Sequence, residues 1–181
     1  YVGYGAAEGG RDYNTTEISE HTLRQIYLPP FRAAVEAGAA TIMSAFNSLN
    51  GVPASANPFT LRQVLREEWG FRGVVDSDWE SVRELIQHGI ANDRATAARK
   101  AFLAGVDMDM ASSVYHDHLG QLVSSGQVPQ ERLDESVRNV LRLKFALGLF
   151  ERPYVDAARE AEAMLRPESV SLALRAAERS F

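Results

Sequence analysis

Short apolar runs alternate with amphipathic segments along this chain, and that alternation constrains its fold more than any other feature. The runs at 39–46, 72–77 and 106–110 predict strands, the last interrupted by two carboxylates. The apolar spacing around them predicts helices at 19–37, with a bend at Pro29-Pro30, and at 58–69, 80–88, 94–104, 116–125 and 130–147. Apolar strands separated by helices are typical of a parallel sheet covered on both faces. The sequence therefore predicts the α/β class.

Length limits how much of an α/β barrel the chain can form. An eight-stranded barrel takes about 250 residues, and this chain has 181. It carries three clear strands and, at 1–5, what reads as the exit of an earlier one. Both ends read as cut, and the composition after Phe150 changes to one typical of a linker. We therefore expect a piece of a larger protein, with too few strands to close a barrel.

Charge and composition disfavour several kinds of partner. The chain has 19 basic and 24 acidic residues and no basic run, whereas nucleic-acid binding needs concentrated positive charge. No apolar run approaches the roughly 20 residues that span a bilayer. There is no cysteine, the four histidines fit no metal-binding spacing, and Gly9-Gly10 lacks the strand and helix of a phosphate loop. We predict no metal, no cofactor, no nucleic acid and no membrane partner.

The most informative residues follow the strand at 72–77. Asp78 stands where that strand ends, and catalytic groups of α/β barrels lie at the C-terminal ends of strands. Asp78 could equally cap the helix predicted at 80–88, a common task for aspartate. Trp79, directly after it, would suit the face of a sugar at the rim of a cleft, or could pack between barrel helices.

Several motifs together carry a resemblance to a known family. Gly70-Phe71-Arg72-Gly73 followed by Ser77-Asp78-Trp79 resembles the nucleophile motif of glycoside hydrolase family 3, the β-glucosidase family. Segments that resemble family counterparts in the same order lie at 3–5, 8–14, 27–31, 47–51, 104–108 and 147–150. Collinear motifs over almost the whole chain are more specific than any one of them.

The resemblance implies a half TIM-type barrel. Residues 1–150 would be the C-terminal half of the family's (β/α)8 domain, and 151–181 the linker and the start of a second α/β domain. Asp78 would be the nucleophile of a retaining, exo-acting β-glucosidase whose acid/base carboxylate lies in that second domain. The substrate would be a β-glucoside or oligosaccharide, and the other partners the missing N-terminal half-barrel and C-terminal domain, or a second copy. The chain alone should have little or no activity, and family relatives favour a periplasmic or extracellular location.

Three further positions, Asp76, Phe46 and Met43, can be compared with the residues that the family usually has there. Asp76 stands where the family usually has an apolar residue, and on a strand it should face the same way as Asp78. It would then be a buried carboxylate without a partner, tolerated in an open half-barrel. Phe46 replaces a tyrosine of many relatives, and Met43 matches a position that lines the sugar subsite. Either one could instead be an ordinary core residue.

Two hypotheses without catalysis are alternatives to the enzyme hypothesis. A half-barrel exposes an unpaired parallel edge and an apolar face, so the chain could be a structural module that associates with a second copy or with its missing half. It could also be a module that binds a sugar without cleaving it.

Overall fold

The computed structural model describes residues 1–180. It divides into two compact units, Tyr1–Leu143 and a second unit that begins at Lys144. The strands are β1 (Thr15–Thr16), β2 (Thr41–Met43), β3 (Ser48–Leu49), β4 (Val52–Pro53) and β5 (Val74–Asp76). The α-helices are α1 (Glu20–Thr22), α2 (Pro29–Glu36), α3 (Arg94–Ala104), α4 (Val114–Ser124), α5 (Gln130–Ala146), α6 (Glu160–Ala163) and α7 (Pro167–Glu178), and two π-helical segments lie at Leu23–Tyr27 and Phe59–Glu68.

The parallel strands that the sequence predicts are present but short. β2 and β5 pair in parallel, with Met43 opposite Asp76, and Asp76 forms a further parallel bridge to Met108. All three residues of β5 are buried, whereas in β2 only Ile42 is, so the interpretation of 39–46 as a fully buried strand is wrong. The run at 106–110 is reduced to that single bridge. This mixture of helices and parallel pairs confirms the α/β class.

A second sheet, of three very short strands, was not predicted. β1 pairs in parallel with β3, and β3 forms a hairpin with β4 across Asn50-Gly51. The sequence indicates only the turn, because each of these strands is two residues long and leaves no alternating pattern. Asn50 also ties the hairpin to the chain before α1, since its side-chain oxygen accepts from the N–H of Ile18 at 2.8 Å.

The helix predicted at 94–104 is present as α3 with the predicted bounds, and two further predicted helices are present with π-helical segments. The region 19–37 is helical with a π-helical stretch just before Pro29, where the bend is predicted. Asn57 caps the helix Phe59–Glu68, because its side-chain oxygen accepts from the N–H of Phe59 at 3.1 Å and of Thr60 at 3.3 Å. Both helices start where the sequence supplies a local signal.

The helix predicted at 80–88 is wrong. That stretch consists of turns with one short 3₁₀ segment, Arg83–Leu85. Glu80 has φ 57°, outside the helical region, and its N–H donates to the carbonyl of Met110 at 2.9 Å. The chain is therefore held to the neighbouring strand segment where an α-helix would have to begin.

The core of the first unit is formed by the strands and the helices around them. α3 packs against α4, and its Phe102 ring meets Tyr115 edge-on, with centroids 5.3 Å apart. The largest fully buried side chains include Leu61, Leu65, Val75, Val82, Leu85, Phe102 and Val106. Below the strand ends the packing is close: a Cβ on Gly73 would lie 2.2 Å from the carbonyl oxygen of Ala40. This packing fixes where β5 begins.

The second unit contains α6 and α7. No side chain from Glu151 to Ser180 is buried. Within the described part of the chain, no helix combines the length and the apolar character needed to cross a membrane.

Candidate active site

Asp78 lies just beyond β5, in a segment that Ser77 holds in place. The Ser77 N–H donates to the carbonyl of Met108 at 2.9 Å, and the Met110 N–H donates to the Ser77 hydroxyl at 2.8 Å. The Asp78 carboxylate accepts from the N–H of Trp79 at 2.6 Å. Because no helix begins here, this bond caps no helix, and the capping interpretation of Asp78 is wrong. Among the described residues, no other side chain pairs with this half-exposed carboxylate.

The three residues predicted around Asp78 are all accessible. The Trp79 side chain is 64% exposed, so it does not pack between helices. Met43 is 40% exposed at the end of β2, which excludes a core role within this chain. Phe46, three residues further, is half-buried with its ring against Tyr13, the centroids 4.9 Å apart. Met43 and Asp78 are thus brought to the ends of adjacent parallel strands, and Phe46 contributes to a neighbouring aromatic pair.

Asp76 lies one strand repeat before Asp78 and is buried. Its side chain lies between Met43 and Met108 in the strand register, and its Oδ1 atom is buried without a hydrogen-bond partner. Burial raises the pKa of the Asp76 carboxyl, and the charge of Asp78 raises it further. The carboxyl is therefore buried as expected, with one of its two oxygens lacking a hydrogen-bond partner.

A buried ionic network around Asp107 contacts β5, the strand that leads to Asp78. It was not predicted from the sequence. The Asp107 carboxylate accepts from Arg66 at 2.6 Å, from Arg132 at 3.0 Å and from the N–H of Val75 in β5 at 3.0 Å. The sequence interpretation treated Asp107 only as an interruption of a strand. The arginines are 41 and 25 residues away, so no local pattern reveals the contact.

Asp109 also has a structural role that was not predicted. Its carboxylate accepts from the N–H groups of Val114 at 2.8 Å and Tyr115 at 3.2 Å. This cap starts α4 two residues before the helix start predicted at His116. Asp107 and Asp109 therefore stabilise the fold through their hydrogen bonds. The Asp78 carboxylate accepts no hydrogen bond from any of the described side chains.

A second concave surface lies near Asp78. Tyr13, Glu84, Gln87 and His88 line a cleft of about 300 Å³. His88 is half-buried, and its Nδ1 lies 3.3 Å from the Ser48 hydroxyl. Burial lowers its pKa. This cleft could not be predicted from local sequence patterns, because its two walls lie about 70 residues apart in the chain.

The described residues contain no group of three or more His, Asp or Glu side chains that could hold a metal ion. The charge of Asp78 helps to raise the pKa of four ionisable side chains, Tyr4, Tyr13, Asp76 and Glu84. Its charge helps to raise the pKa of Tyr13, for which Glu84 is the larger cause, and of Glu84, for which burial is the larger cause. The arrangement offers an accessible carboxylate and exposed aromatic faces.

Comparison with known proteins finds relatives that are named beta-glucosidases or beta-xylosidases. The chain is 46% identical to the periplasmic beta-glucosidase of Salmonella typhimurium over 154 residues. That alignment covers 85% of this chain and 20% of the Salmonella protein. It is 37% identical to a putative beta-xylosidase of Formosa agariphila, over 96% of this chain and 23% of that protein. The crystal structure of beta-glucosidase from Listeria innocua in complex with glucose superposes with a TM-score of 0.89 at 44% identity, over 93% of this chain and 23% of that one.

The chain thus spans about a fifth to a quarter of the length of these relatives. The model of the glycosyl hydrolase family 3 N terminal domain matches residues 1–143. The family resemblance drawn from the motifs around Asp78 is confirmed. The chain belongs to glycosyl hydrolase family 3.

Proposed function

We propose that the complete protein is a retaining, exo-acting β-glucosidase and that this chain contributes its nucleophile, Asp78. The observation that carries the proposal is the accessible Asp78 carboxylate at the end of a buried parallel strand, with an exposed Trp79 beside it. Barrel enzymes place their reacting groups at this end of the strands. Family membership and the names of the β-glucosidase relatives support the same substrate class.

In this mechanism Asp78 attacks the anomeric carbon of a terminal β-glucoside. The bond to the leaving oxygen breaks while a carboxylic acid about 5 Å from the nucleophile protonates that oxygen, and a glycosyl-enzyme forms. The same group, now a carboxylate, then activates the water that releases glucose. Asp76 does not suit this role, because it is buried one strand repeat below Asp78. We infer that the acid/base residue lies in the remainder of the complete protein, so this chain alone should have little or no activity.

Trp79, Met43 and Phe46 are proposed to bind the sugar. The exposed Trp79 ring offers an apolar face to a pyranose, and Met43 and Phe46 line the neighbouring strand end. The β-xylosidase among the relatives supports a xyloside as the second substrate to test. Comparing kcat/KM for an aryl β-glucoside and an aryl β-xyloside distinguishes the two, and we expect the glucoside to be preferred.

We also infer that the first unit is part of a (β/α)8 barrel, as the half-barrel prediction for residues 1–150 requires. The parallel order β2, β5 and the Met108 bridge supports it. Residues 151–181 are proposed as a linker and the start of a second α/β domain. The relative from Salmonella typhimurium is named periplasmic, which supports a periplasmic or extracellular location, testable by cell fractionation.

The decisive experiment traps the intermediate. A 2-deoxy-2-fluoro-β-glucoside with a good leaving group should inactivate the complete protein and label Asp78, identified by mass spectrometry of the peptide. Asp78→Ala should lower kcat on an aryl β-glucoside by at least about a thousandfold, since the nucleophile is removed. Asp134→Asn, an exposed aspartate on α5, is the matched control and should keep full activity. Labelling of another side chain would overturn the assignment.

A further inference from the structure

We propose that a cavity lined by arginines at the start of β5 binds a phosphate group, carried either by inorganic phosphate or by a phosphate monoester. The cavity has a volume of about 350 Å³, and the arginines that line it are Arg66, Arg72, Arg138 and Arg142. It lies at the opposite end of β5 from Asp78, so the proposal does not depend on the glycosidase function.

One wall of the cavity is formed by the buried side chain of Arg66, which is 9% exposed. Its Nη1 donates to the carbonyls of Phe71 at 3.3 Å and Gly73 at 3.2 Å, and its Nη2 donates to Asp107 at 2.6 Å. Its Nε is buried without a hydrogen-bond partner among the described residues. Burial lowers the pKa of the Arg66 guanidinium although the charge of Asp107 opposes this. The charged form is therefore incompletely compensated, and an anion in the cavity would stabilise it.

The other three arginines are exposed and come from two further segments. Arg138 and Arg142 are four residues apart on α5, so they share one face of the helix and their charges repel each other. Arg142 is held across the cavity, because its Nη1 donates to the carbonyl of Arg72 at 3.1 Å and to the side-chain oxygen of Asn139 at 3.2 Å. A guanidinium that is already held in place needs little ordering when a ligand binds.

Positive charge exceeds negative charge around the cavity. Within residues 1–180, the carboxylates that form ion pairs here are Asp107 and Glu135, and neither pairs with the three exposed arginines. Glu135 lines the cavity, but its Oε2 accepts from Arg62 at 3.2 Å and from Arg132 at 3.3 Å. Although burial alone would raise the pKa of Glu135, the charges of Arg132 and Arg62 lower it overall. The arginines therefore produce a positive field that a bound anion would neutralise.

The number and type of donors favour a phosphate group over a carboxylate or an uncharged sugar. Guanidinium groups are planar donors that bind phosphate oxygens through paired hydrogen bonds. A phosphate group offers three or more oxygens and close to two negative charges, so it can contact more than two guanidinium groups at once. The arginines come from three separate segments, which explains why the sequence shows no basic run.

The test is isothermal titration calorimetry of the complete protein with inorganic phosphate at low ionic strength. Arg138→Gln with Arg142→Gln, at exposed positions of α5, should raise Kd by at least about tenfold, because hydrogen bonds to charged groups are lost. Arg72→Gln, outside α5, should also raise Kd. The matched control is Arg175→Gln with Arg179→Gln, which removes the same charges at the same spacing from exposed positions at the end of α7. This control should leave Kd within about twofold of the natural value.

Chemical modification then locates the bound phosphate, and a second ligand identifies its source. Phosphate should slow the reaction of phenylglyoxal with Arg138 and Arg142, but not with Arg175, as measured by mass spectrometry of the peptides. Tighter binding of glycerol 3-phosphate than of inorganic phosphate would assign the site to a monoester, and equal or weaker binding would assign it to free phosphate. The proposal is overturned if the unaltered protein does not bind phosphate, if the α5 double variant binds it equally well, or if phosphate protects neither arginine of α5.

Discussion

At the scale of single residues, Asp76 is the group whose removal should stabilise the protein. Burial gives it a higher pKa in the folded chain than in the unfolded one. A raised folded pKa means that the stability from this group is present below the unfolded value and is lost as pH rises through the folded value. We therefore expect the stability of Asp76→Asn, relative to the natural chain, to increase as the pH rises from 4 to 7, because the asparagine has no proton to lose. Urea unfolding at several pH values measures it.

The control for this experiment is Asp134→Asn, which removes a carboxyl from an exposed position on α5. A difference between Asp76→Asn and the natural chain that is the same at pH 4 and pH 7 would contradict a buried, titrating Asp76.

Residue roles near the site could be predicted from sequence only where they depend on the local chain. The strand-end position of Asp78 and the shared face of Asp76 follow from a period of two along one strand. The role of Asp107 could not be predicted, because its partners Arg66 and Arg132 come from two other helices. The cleft at Tyr13 and Glu84 was missed for the same reason.

At the scale of elements, the close approach at Gly73 fixes the start of β5. An added Cβ would lie 2.2 Å from the backbone oxygen of Ala40 and 2.5 Å from the Phe71 ring, and neither can move freely. Gly73→Ala should therefore destabilise the chain by about 2 kcal/mol or more. Gly120→Ala, inside α4 with nothing within 4 Å of the new Cβ, should instead stabilise it by about 0.5 to 1 kcal/mol. Thermal unfolding of the two variants should move the midpoint in opposite directions.

The ionic network joins three elements, and its loss should be costly. Asp107→Ala leaves the guanidinium groups of Arg66 and Arg132 buried without their carboxylate. Breaking a buried pair in this way costs about 3 to 5 kcal/mol. Glu36→Gln breaks the exposed pair with Arg32 and should cost less than about 1 kcal/mol. Equal costs in urea unfolding would contradict the structural role of Asp107.

Element boundaries show where local sequence signals fail. The Asn57 cap and the prolines after Leu28 act within one turn, so the helices that they start were predicted. The stretch at 80–88 has a helical apolar pattern, but the bond from Glu80 to the carbonyl of Met110 takes its first residue out of the helical region. The apolar residues at 80–88 do have helical spacing, but this long-range backbone hydrogen bond prevents an α-helix from starting there.

At the scale of the whole molecule, α5 has an apolar face that the first unit leaves open. The sequence groups Leu133, Val137, Val140, Leu141 and Phe145 on one face, yet Val137 is 47% and Leu141 39% exposed. Both line a largely apolar groove of about 600 Å³ between α4 and α5 that also includes Met108. An amphipathic pattern predicts which side of a helix is apolar, but not whether the covering segment belongs to the same piece of chain.

We expect this groove to cause association of the isolated chain, because open apolar patches of such size favour contact with another surface. Light scattering after size exclusion at tens of micromolar should give a mass above the 20.0 kDa of one chain. Val137→Glu with Leu141→Glu should return it to a monomer. Val170→Glu with Leu174→Glu places the same charges at the same spacing on exposed positions of α7 and should not.

The two double variants distinguish association through the α5 groove, which the half-barrel interpretation predicts, from non-specific association through exposed apolar side chains. If the groove is the surface that the rest of a barrel covers, only the α5 variant should lose association, and it should also fail to restore β-glucosidase activity when mixed with the remainder of the complete protein. If both variants become monomeric, exposed apolar side chains anywhere on the chain cause the association. A natural chain that is monomeric at every concentration would mean that α4 and α5 need no cover, and the partial-barrel proposal would then lose its main physical support.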